Sequence, residues 1–253
     1  TDYQSFIHKS RYAKYYEGKG RESWGDTVDR YMDNIVGNLA DTVTKKEIKE
    51  AILNLAVMPS MRSLMTAGKA AERDNTCMYN CSYLAVDDVK AFDEAMFILL
   101  CGTGVGFSVE RQSVQKLPEV PTLFVSETNI VVKDSKEGWA KALRQMIALL
   151  YSGEIPTWDV SKVRPAGAPL KTFGGRASGP APLVDLFTFV IKTFKDAQGR
   201  RLSSLECHDI MCKIGEVVVV GGVRRSAMIS LSNLSDDRMR HAKSGAWWEN
   251  DPQ

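Results

Sequence analysis

The stretch "NCSYLAVDDVKAFDEAMFILLCGTGVGFSVE" (residues 80–110) decides the fold, because it contains three consecutive predicted elements. "NCSYLAV" (80–86) has the composition of a short buried strand, with Cys81 at its start. "KAFDEAMFILLC" (90–101) is predicted to be a helix, and "GTGVGFSVE" (102–110) turns through three glycines into a second strand. A strand, a helix and a strand in this order are typical of an α/β layered or barrel architecture.

The chain after residue 110 alternates between further elements and one long irregular segment. Residues 111–162 hold a proline-rich connection, a predicted strand at 130–132 and an amphipathic helix, "SKEGWAKALRQMIALLYSG". We predict that they form an inserted subdomain. Residues 163–183 are too rich in Gly and Pro for a regular element, and a loop this long is usually functional. Two further helices are predicted, at 183–196 and 203–216.

"VVVVGGVRRSAMISL" (217–231) is a strand-like apolar run that two glycines and two arginines interrupt before strand character resumes. Glycine permits a positive φ or a close approach of the backbone to a ligand. Arginine stacks on planar rings and binds phosphate oxygens with two hydrogen bonds. From this stretch alone, a tight connection with solvated arginines and a ligand-binding loop both remain open.

Residues 1–57 are predicted to be helical. "TKKEIKEAILNLAVM" begins with Thr44 as a helix cap and Glu47 three positions later, and its apolar residues have helical spacing. "MPSMRSLMTAG" (58–68) ends that helix at its proline and leads into a polar loop. The first domain is therefore predicted to end at residue 57.

The composition of the chain is the first guide to its class of protein. Its 44% hydrophobic and 25% charged residues are typical of a soluble globular protein, and the net charge of +2 gives no reason to expect nucleic acid as a partner. No apolar run is long enough to cross a bilayer, and "TDYQSFIHKSRYAKYY" has no apolar core of a signal peptide. We expect a cytoplasmic protein with no membrane partner.

The five cysteines argue against a disulfide framework, because their number is odd in a chain of this size. Cys77 and Cys81 are four residues apart, and Cys207 and Cys212 are five apart. Neither pair has the C-x2-C spacing of a structural zinc site, so no metal site is predicted. Free thiols of this kind are either buried small hydrophobes or chemically active.

Five segments in the same order resemble the catalytic subunit of ribonucleotide reductase: "MPSMRSL", "NCSYLAV", "GTGVGFSV", "RPAGAPLKTFGGRASGP" and "VVVVGGVRRSA". Among these enzymes, they resemble the adenosylcobalamin-dependent (class II) ribonucleoside-triphosphate reductases. The resemblance covers nearly the whole chain. It implies an α/β fold with an N-terminal helical cap (1–57) and the first half of a ten-stranded α/β barrel (58–253), with 111–162 inserted.

The resemblance implies thiol-dependent radical reduction of ribonucleoside triphosphates to deoxyribonucleotides, with allosteric control of specificity by a nucleoside triphosphate effector. It also implies adenosylcobalamin, with contacts mostly outside this chain, and a thioredoxin-like reductant. The alternatives are the α chain of a metal-subunit-dependent (class I) ribonucleoside-diphosphate reductase and, from another class, a non-catalytic nucleotide-binding domain. Both a monomer and a homodimer remain open.

The resemblance also assigns roles to individual residues. Cys81 is implied to be one of two reducing thiols, which close a disulfide in each turnover and are reopened by thiol–disulfide exchange. Cys77, Cys101, Cys207 and Cys212 match no family role and are interpreted as structural. The implied substrate-binding residues are Ser60, Asn80, Thr103 and Gly104. The implied effector-binding residues are Asp88, Arg164, Lys171, Gly222, Val223, Arg224, Arg225 and Ser226.

Three of these residues have plainer explanations when each is taken alone. Ser60 and Asp88 suit helix caps, and Asn80 suits a turn. The Asn-Pro-Cys-x-Glu stretch that carries the radical cysteine in the family does not occur in the 253 residues. We therefore expect this chain to be a fragment that is inactive alone.

Overall fold

The computed structural model of the chain describes residues 1–168, 176–220 and 227–245. They divide into two compact units, Thr1–Asn80 and Cys81–Gln253, and combine helices with strands. The predicted mixed α/β class is confirmed. The first of these units ends at Asn80.

The first unit is mostly helical around a small core. Val28, Met32, Val36 and Ile52 form that core. The elements are α1 (Asp2–Arg11), the antiparallel strands β1 (Tyr15–Tyr16) and β2 (Gly20–Arg21), α2 (Trp24–Tyr31), a π-helical turn (Met32–Val36), α3 (Thr42–Leu53), α4 (Met61–Thr66), α5 (Lys69–Arg73) and a 3₁₀ turn (Asn75–Met78).

Two details of the first unit differ from the sequence prediction. Asp41, not Thr44, caps α3, because the Asp41 carboxylate accepts the backbone N–H of Thr44 at 2.9 Å. Thr44 already lies inside the first turn. The segment predicted as a polar loop contains the short helix α4, whose Leu64 is fully buried. Burial of this leucine favours helix where the proline and polar residues indicated a loop.

The second unit alternates strands and helices. Its elements are β3 (Cys81–Ala85), α6 (Ala91–Leu100), β4 (Gly104–Ser108), α7 (Arg111–Val114), β5 (Phe124–Val131), α8 (Lys136–Tyr151), β6 (Glu154–Asp159), α9 (Ala181–Asp196), α10 (Ser204–Val220), β7 (Met228–Leu231) and α11 (Asp237–Arg240). Strands β3, β4 and β7 form a parallel sheet in the order β3-β4-β7, and β5 pairs with β6 in parallel. The predicted β3–α6–β4 unit is confirmed.

The three-stranded sheet is covered by helices on one face. Val105 and Phe107 of β4 are buried in the helical core, because alternate residues of a strand face opposite sides. On the other face, Tyr83, Ile229 and Leu231 are exposed. The prediction that 80–86 is a buried strand is therefore wrong for this face, although the strand itself is present.

One continuous core joins the helices of the second unit. Ile130 and Leu143, from the predicted inserted subdomain, lie in the same buried cluster as Phe107, Phe187 and Ile214. The segment 111–162 therefore shares its packing with the sheet. Among the described residues, no helix is long and apolar enough to cross a bilayer.

The valine run before the two glycines is helical, and the prediction of strand character there is wrong. Helix α10 continues to Val220, and Val217 and Val218 are buried. β-branched residues favour strands only weakly, and packing overrides that preference here. The predicted return of strand character is confirmed, because β7 pairs with β4 from Met228 to Leu231.

Candidate active site

Cys81 is the first residue of β3 and lies at the amino end of the parallel sheet. Its partner in the register is Gly104, the first residue of β4. The thiol is free and the residue is exposed. A cysteine in this position has access to a molecule that lies on the open face of the sheet.

The fold around the α6–β4 turn explains two of the three glycines, Gly102 by its backbone conformation and Gly106 by a close contact with β7. Gly102 has φ of +81°, which favours glycine, and its N–H donates to the carbonyl of Leu99 at 2.8 Å. A Cβ on Gly106 would lie 3.2 Å from Cγ2 of Ile229. Thr103 is 1% exposed. Gly104, opposite Cys81, is the glycine for which close approach of a ligand remains the prediction.

Ser60 and Asn80 lie in the first unit and are both exposed. Ser60 is at the N-cap position of α4, but its side chain makes no capping hydrogen bond. The Asn80 carbonyl oxygen, Oδ1, accepts a hydrogen bond of 3.2 Å from Nε of Arg62. The role of Ser60 and Asn80 in substrate binding remains a prediction.

Two predicted effector residues lie among the described residues. The carboxylate of Asp88 accepts the backbone N–H of Lys90 at 2.8 Å, so Asp88 precedes α6 without occupying its N-cap position. Nε of Arg164 donates to Oδ2 of Asp134 at 2.7 Å, in a partly exposed ion pair. The other predicted effector residues lie outside the described residues: Lys171, Gly222, Val223, Arg224, Arg225 and Ser226.

The remaining cysteines fall into two groups. Cys212 is exposed, and its Sγ lies 3.4 Å from Nε2 of His208, whose Nδ1 lies 2.9 Å from Oγ of Ser230. Burial raises the pKa of the Cys212 thiol and lowers the pKa of His208. Three cysteines are buried: Cys77, Cys101 and Cys207. Within 1–168, 176–220 and 227–245, no three His, Cys, Asp or Glu side chains are arranged to hold a metal ion.

Sequence reasoning missed the side chains that hold the candidate residues. For Arg62, the partner of Asn80, the sequence contains one indication of burial, because this arginine lies between the apolar residues Met61 and Leu64. For Asp134, the partner of Arg164, the sequence contains no indication of the pair, because the two residues are 30 positions apart.

Comparisons with known proteins find similarity to B12-dependent ribonucleotide reductases. Residues 117–194 match the family model described as the insertion domain of B12-dependent ribonucleotide reductase. The adenosylcobalamin-dependent ribonucleoside-triphosphate reductase of Levilactobacillus brevis is 29% identical over 91% of this chain. The enzyme of the same name from Lactobacillus leichmannii is 29% identical over 90% of this chain.

The fold is also similar to that of a solved protein. A crystal structure of a B-12 dependent (class II) ribonucleotide reductase matches 97% of this chain with a TM-score of 0.80, at 22% sequence identity. This chain spans 41% of the length of the two curated relatives and 44% of the solved chain. The resemblance stated from the sequence is thus confirmed, and this chain is similar over most of its length to the B12-dependent ribonucleotide reductases.

Proposed function

We propose that this chain is part of a ribonucleoside-triphosphate reductase and that Cys81 is one of its two reducing thiols. The observation that carries the proposal is the free, exposed thiol of Cys81 at the amino end of β3, opposite Gly104. The similarity to named triphosphate reductases over about nine-tenths of the chain supports the reaction class.

The proposed chemistry balances with two thiols. The ribose loses one hydroxyl group as water, and a hydrogen takes its place. Cys81 and a second cysteine together supply two electrons and two protons, and their sulfurs become a disulfide. A thioredoxin-like dithiol then reopens that disulfide by thiolate attack on one sulfur, which requires an accessible sulfur. The exposure of Cys81 meets that requirement.

The fold proposal extends the parallel sheet. The strands β3, β4 and β7 would be part of a ten-stranded α/β barrel, with residues 1–57 as its helical cap and 111–162 as an insertion. The exposed face with Tyr83, Ile229 and Leu231 would then point to the barrel interior. The match of 117–194 to an insertion-domain model supports the insertion, although its bounds differ.

Adenosylcobalamin is the proposed cofactor, because the curated relatives carry it in their names. When bound, it would supply the radical. The exposed side chains beside Cys81 form an open sheet surface with apolar and thiol groups. No described residue is assigned to the cofactor, whose contacts are proposed to lie mostly outside this chain.

The effector site is proposed to include Asp88 and Arg164, together with Lys171 and 222–226. An exposed carboxylate suits ribose hydroxyls, and a guanidinium suits phosphate oxygens. Coupling between an effector and a substrate is typically ~1–3 kcal/mol. Since Arg164 is paired with Asp134, a triphosphate would have to compete with that carboxylate.

The substitution Asp134→Asn is expected to strengthen effector binding by up to about fivefold, because a partly exposed ion pair contributes under ~1 kcal/mol. Arg164→Gln should weaken binding. Both effects are measured as the Kd for a nucleoside triphosphate by calorimetry. Glu119→Gln is the matched control, since Glu119 also pairs with an arginine at the surface, at 3.3 Å. An unchanged Kd in both Asp134→Asn and Arg164→Gln would remove Arg164 from the site.

The reaction itself is tested with the full-length gene product that contains these residues. Supplied with adenosylcobalamin and a dithiol, it should convert ribonucleoside triphosphates to deoxyribonucleotides. A strict requirement for a metal-containing partner subunit would instead support the class I alternative. Nucleotide binding without any reduction under either condition would support the non-catalytic alternative.

A further inference from the structure

The amide of Asn80 is held in one orientation by a buried arginine. Arg62 is 7% exposed, and its Nε donates to Oδ1 of Asn80. An asparagine amide has an acceptor end and a donor end, and the hydrogen-bond network decides which end points where. With Oδ1 accepting from Arg62, the donor end, Nδ2, is the one turned away from the arginine.

Helix α4, which carries Arg62, is itself fixed at its C-terminal end. Nη1 of Arg30 donates to the carbonyls of Leu64 and Ala67, at 2.8 and 3.1 Å. Nζ of Lys14 donates to the same Ala67 carbonyl at 2.6 Å. Two cations thus bind the carbonyls that a helix end leaves without intrahelical partners.

Arg30 is fixed in turn by Glu22. The guanidinium donates two hydrogen bonds of 2.7 Å to the carboxylate, and the two side chains are 9% and 3% exposed. The carboxylate also accepts from the Tyr16 hydroxyl at 3.2 Å, the Thr27 hydroxyl at 3.0 Å and the Lys14 backbone N–H at 3.0 Å. The two parallel hydrogen bonds of such a pair fix the orientation of the guanidinium relative to the carboxylate, which a single ammonium group would not do.

We propose that Arg62 is a positioning residue for substrate binding and that the Glu22–Arg30 pair sets the helix from which it acts. Arg62 turns the Asn80 amide so that Nδ2 donates to an acceptor oxygen of the nucleotide. Ser60 starts the same helix with a hydroxyl that no capping bond uses. The inference rests on the proposed function and deepens it, because it makes the Asn80 contact a donor contact.

A purely structural role of Arg62 leads to different expectations. Replacing Arg62 would then lower the stability of the first unit and the amount of folded protein, but it would leave the KM of the folded enzyme unchanged. A positioning Arg62 affects substrate binding through Asn80. Its effect on KM must therefore vanish once the Asn80 amide has been removed, which a double-mutant cycle measures.

The test uses the full-length gene product and the variants Arg62→Gln, Asn80→Ala and the double variant. Arg62→Gln and Asn80→Ala are each expected to raise KM for the ribonucleotide about tenfold, the loss of one hydrogen bond, with a smaller change in kcat. The double variant should match Asn80→Ala alone. Arg62→Lys, which keeps the charge, should raise KM less and provides the reading if Arg62→Gln does not fold.

The matched control is Arg11→Gln, because Arg11 is an exposed arginine of the same unit. It should leave KM unchanged. An unchanged KM in Arg62→Gln, or effects of the two single variants that multiply in the double variant, would overturn the positioning role. If the wild-type protein reduces no ribonucleotide, the proposed function itself fails, which is a separate result and removes the inference with it.

Discussion

Replacing Cys81 with serine is expected to abolish multiple-turnover reduction by the full-length protein, by roughly 10³-fold or more. Serine keeps the size and the hydrogen-bonding capacity of the side chain, but it cannot form the disulfide that stores the two oxidising equivalents. Ribonucleotide affinity should remain, because the thiol is proposed to donate electrons rather than to bind. The assay measures deoxyribonucleotide formed in the presence of excess dithiol, and KM from the same curves.

Cys212→Ser is the matched control for this substitution. Cys212 is the other exposed cysteine among the described residues, so the control removes a second thiol that no proposed step uses. Its Sγ lies beside His208, and burial raises its pKa, which disfavours the thiolate needed for exchange. Activity within about twofold of wild type is expected. Full activity in Cys81→Ser, or equal losses in both variants, would contradict the assignment.

Glu22→Gln is expected to destabilise the first unit by about 3–5 kcal/mol, because it leaves the guanidinium of Arg30 buried without its counter-charge. The side chain keeps its shape, so the loss reports the ion pair and its hydrogen bonds rather than a cavity. The measurement is hydrogen exchange of amides in α2, supported by urea unfolding of the whole chain. Faster exchange should be confined to the first unit.

Because the Glu22 carboxylate must be ionised in the pair, we expect the stability of the first unit to depend on pH. Burial opposes ionisation of Glu22, but hydrogen bonds from Arg30 and from the Lys14 backbone outweigh it and hold the pKa at about 2, below its ordinary value of 4.5. Because the folded-state pKa is depressed, this contribution is complete above pH 4.5 and is lost as pH falls towards 2. A shift of this size corresponds to ~3 kcal/mol.

The control for Glu22 is Asp29→Asn. Asp29 pairs with Lys49, but both side chains are about half exposed, so the pair should contribute under ~1 kcal/mol. The acid-dependent loss of stability should persist in this control and disappear in Glu22→Gln. Identical exchange rates in Glu22→Gln and wild type would show that the buried pair does not stabilise the unit.

The sequence predicted correctly those helices and strands whose residue types favour the structure that packing also requires. The β3–α6–β4 unit followed from one short strand, one helix and one glycine turn, and each lies where it was expected. The valine run at 217–220 was misjudged, because β-branched residues indicate a strand while the buried face of α10 keeps them helical. The hydrophobic pattern indicates burial there, but it does not distinguish these two elements.

The residues of the candidate site likewise fall into those that the sequence indicated and those that only the structure showed. Cys81 could be named because the segments around it resemble those of ribonucleotide reductases, and its exposure at the start of β3 agrees with the proposed chemistry. The partners of Asn80 and Arg164 could not, because Arg62 and Asp134 meet them only after folding. Side-chain pairs that are distant in sequence leave no periodic signal, so these two hydrogen bonds became visible only in the structure.

The oxidation state of Cys81 after one turnover tests the central claim most directly. The full-length protein is reduced, separated from the dithiol and mixed with a ribonucleoside triphosphate and adenosylcobalamin. Free thiols are then alkylated and identified by mass spectrometry. The account predicts that Cys81 loses its alkylation in proportion to the deoxyribonucleotide formed, while Cys212 remains alkylated. Product formation with Cys81 still fully alkylated would contradict it.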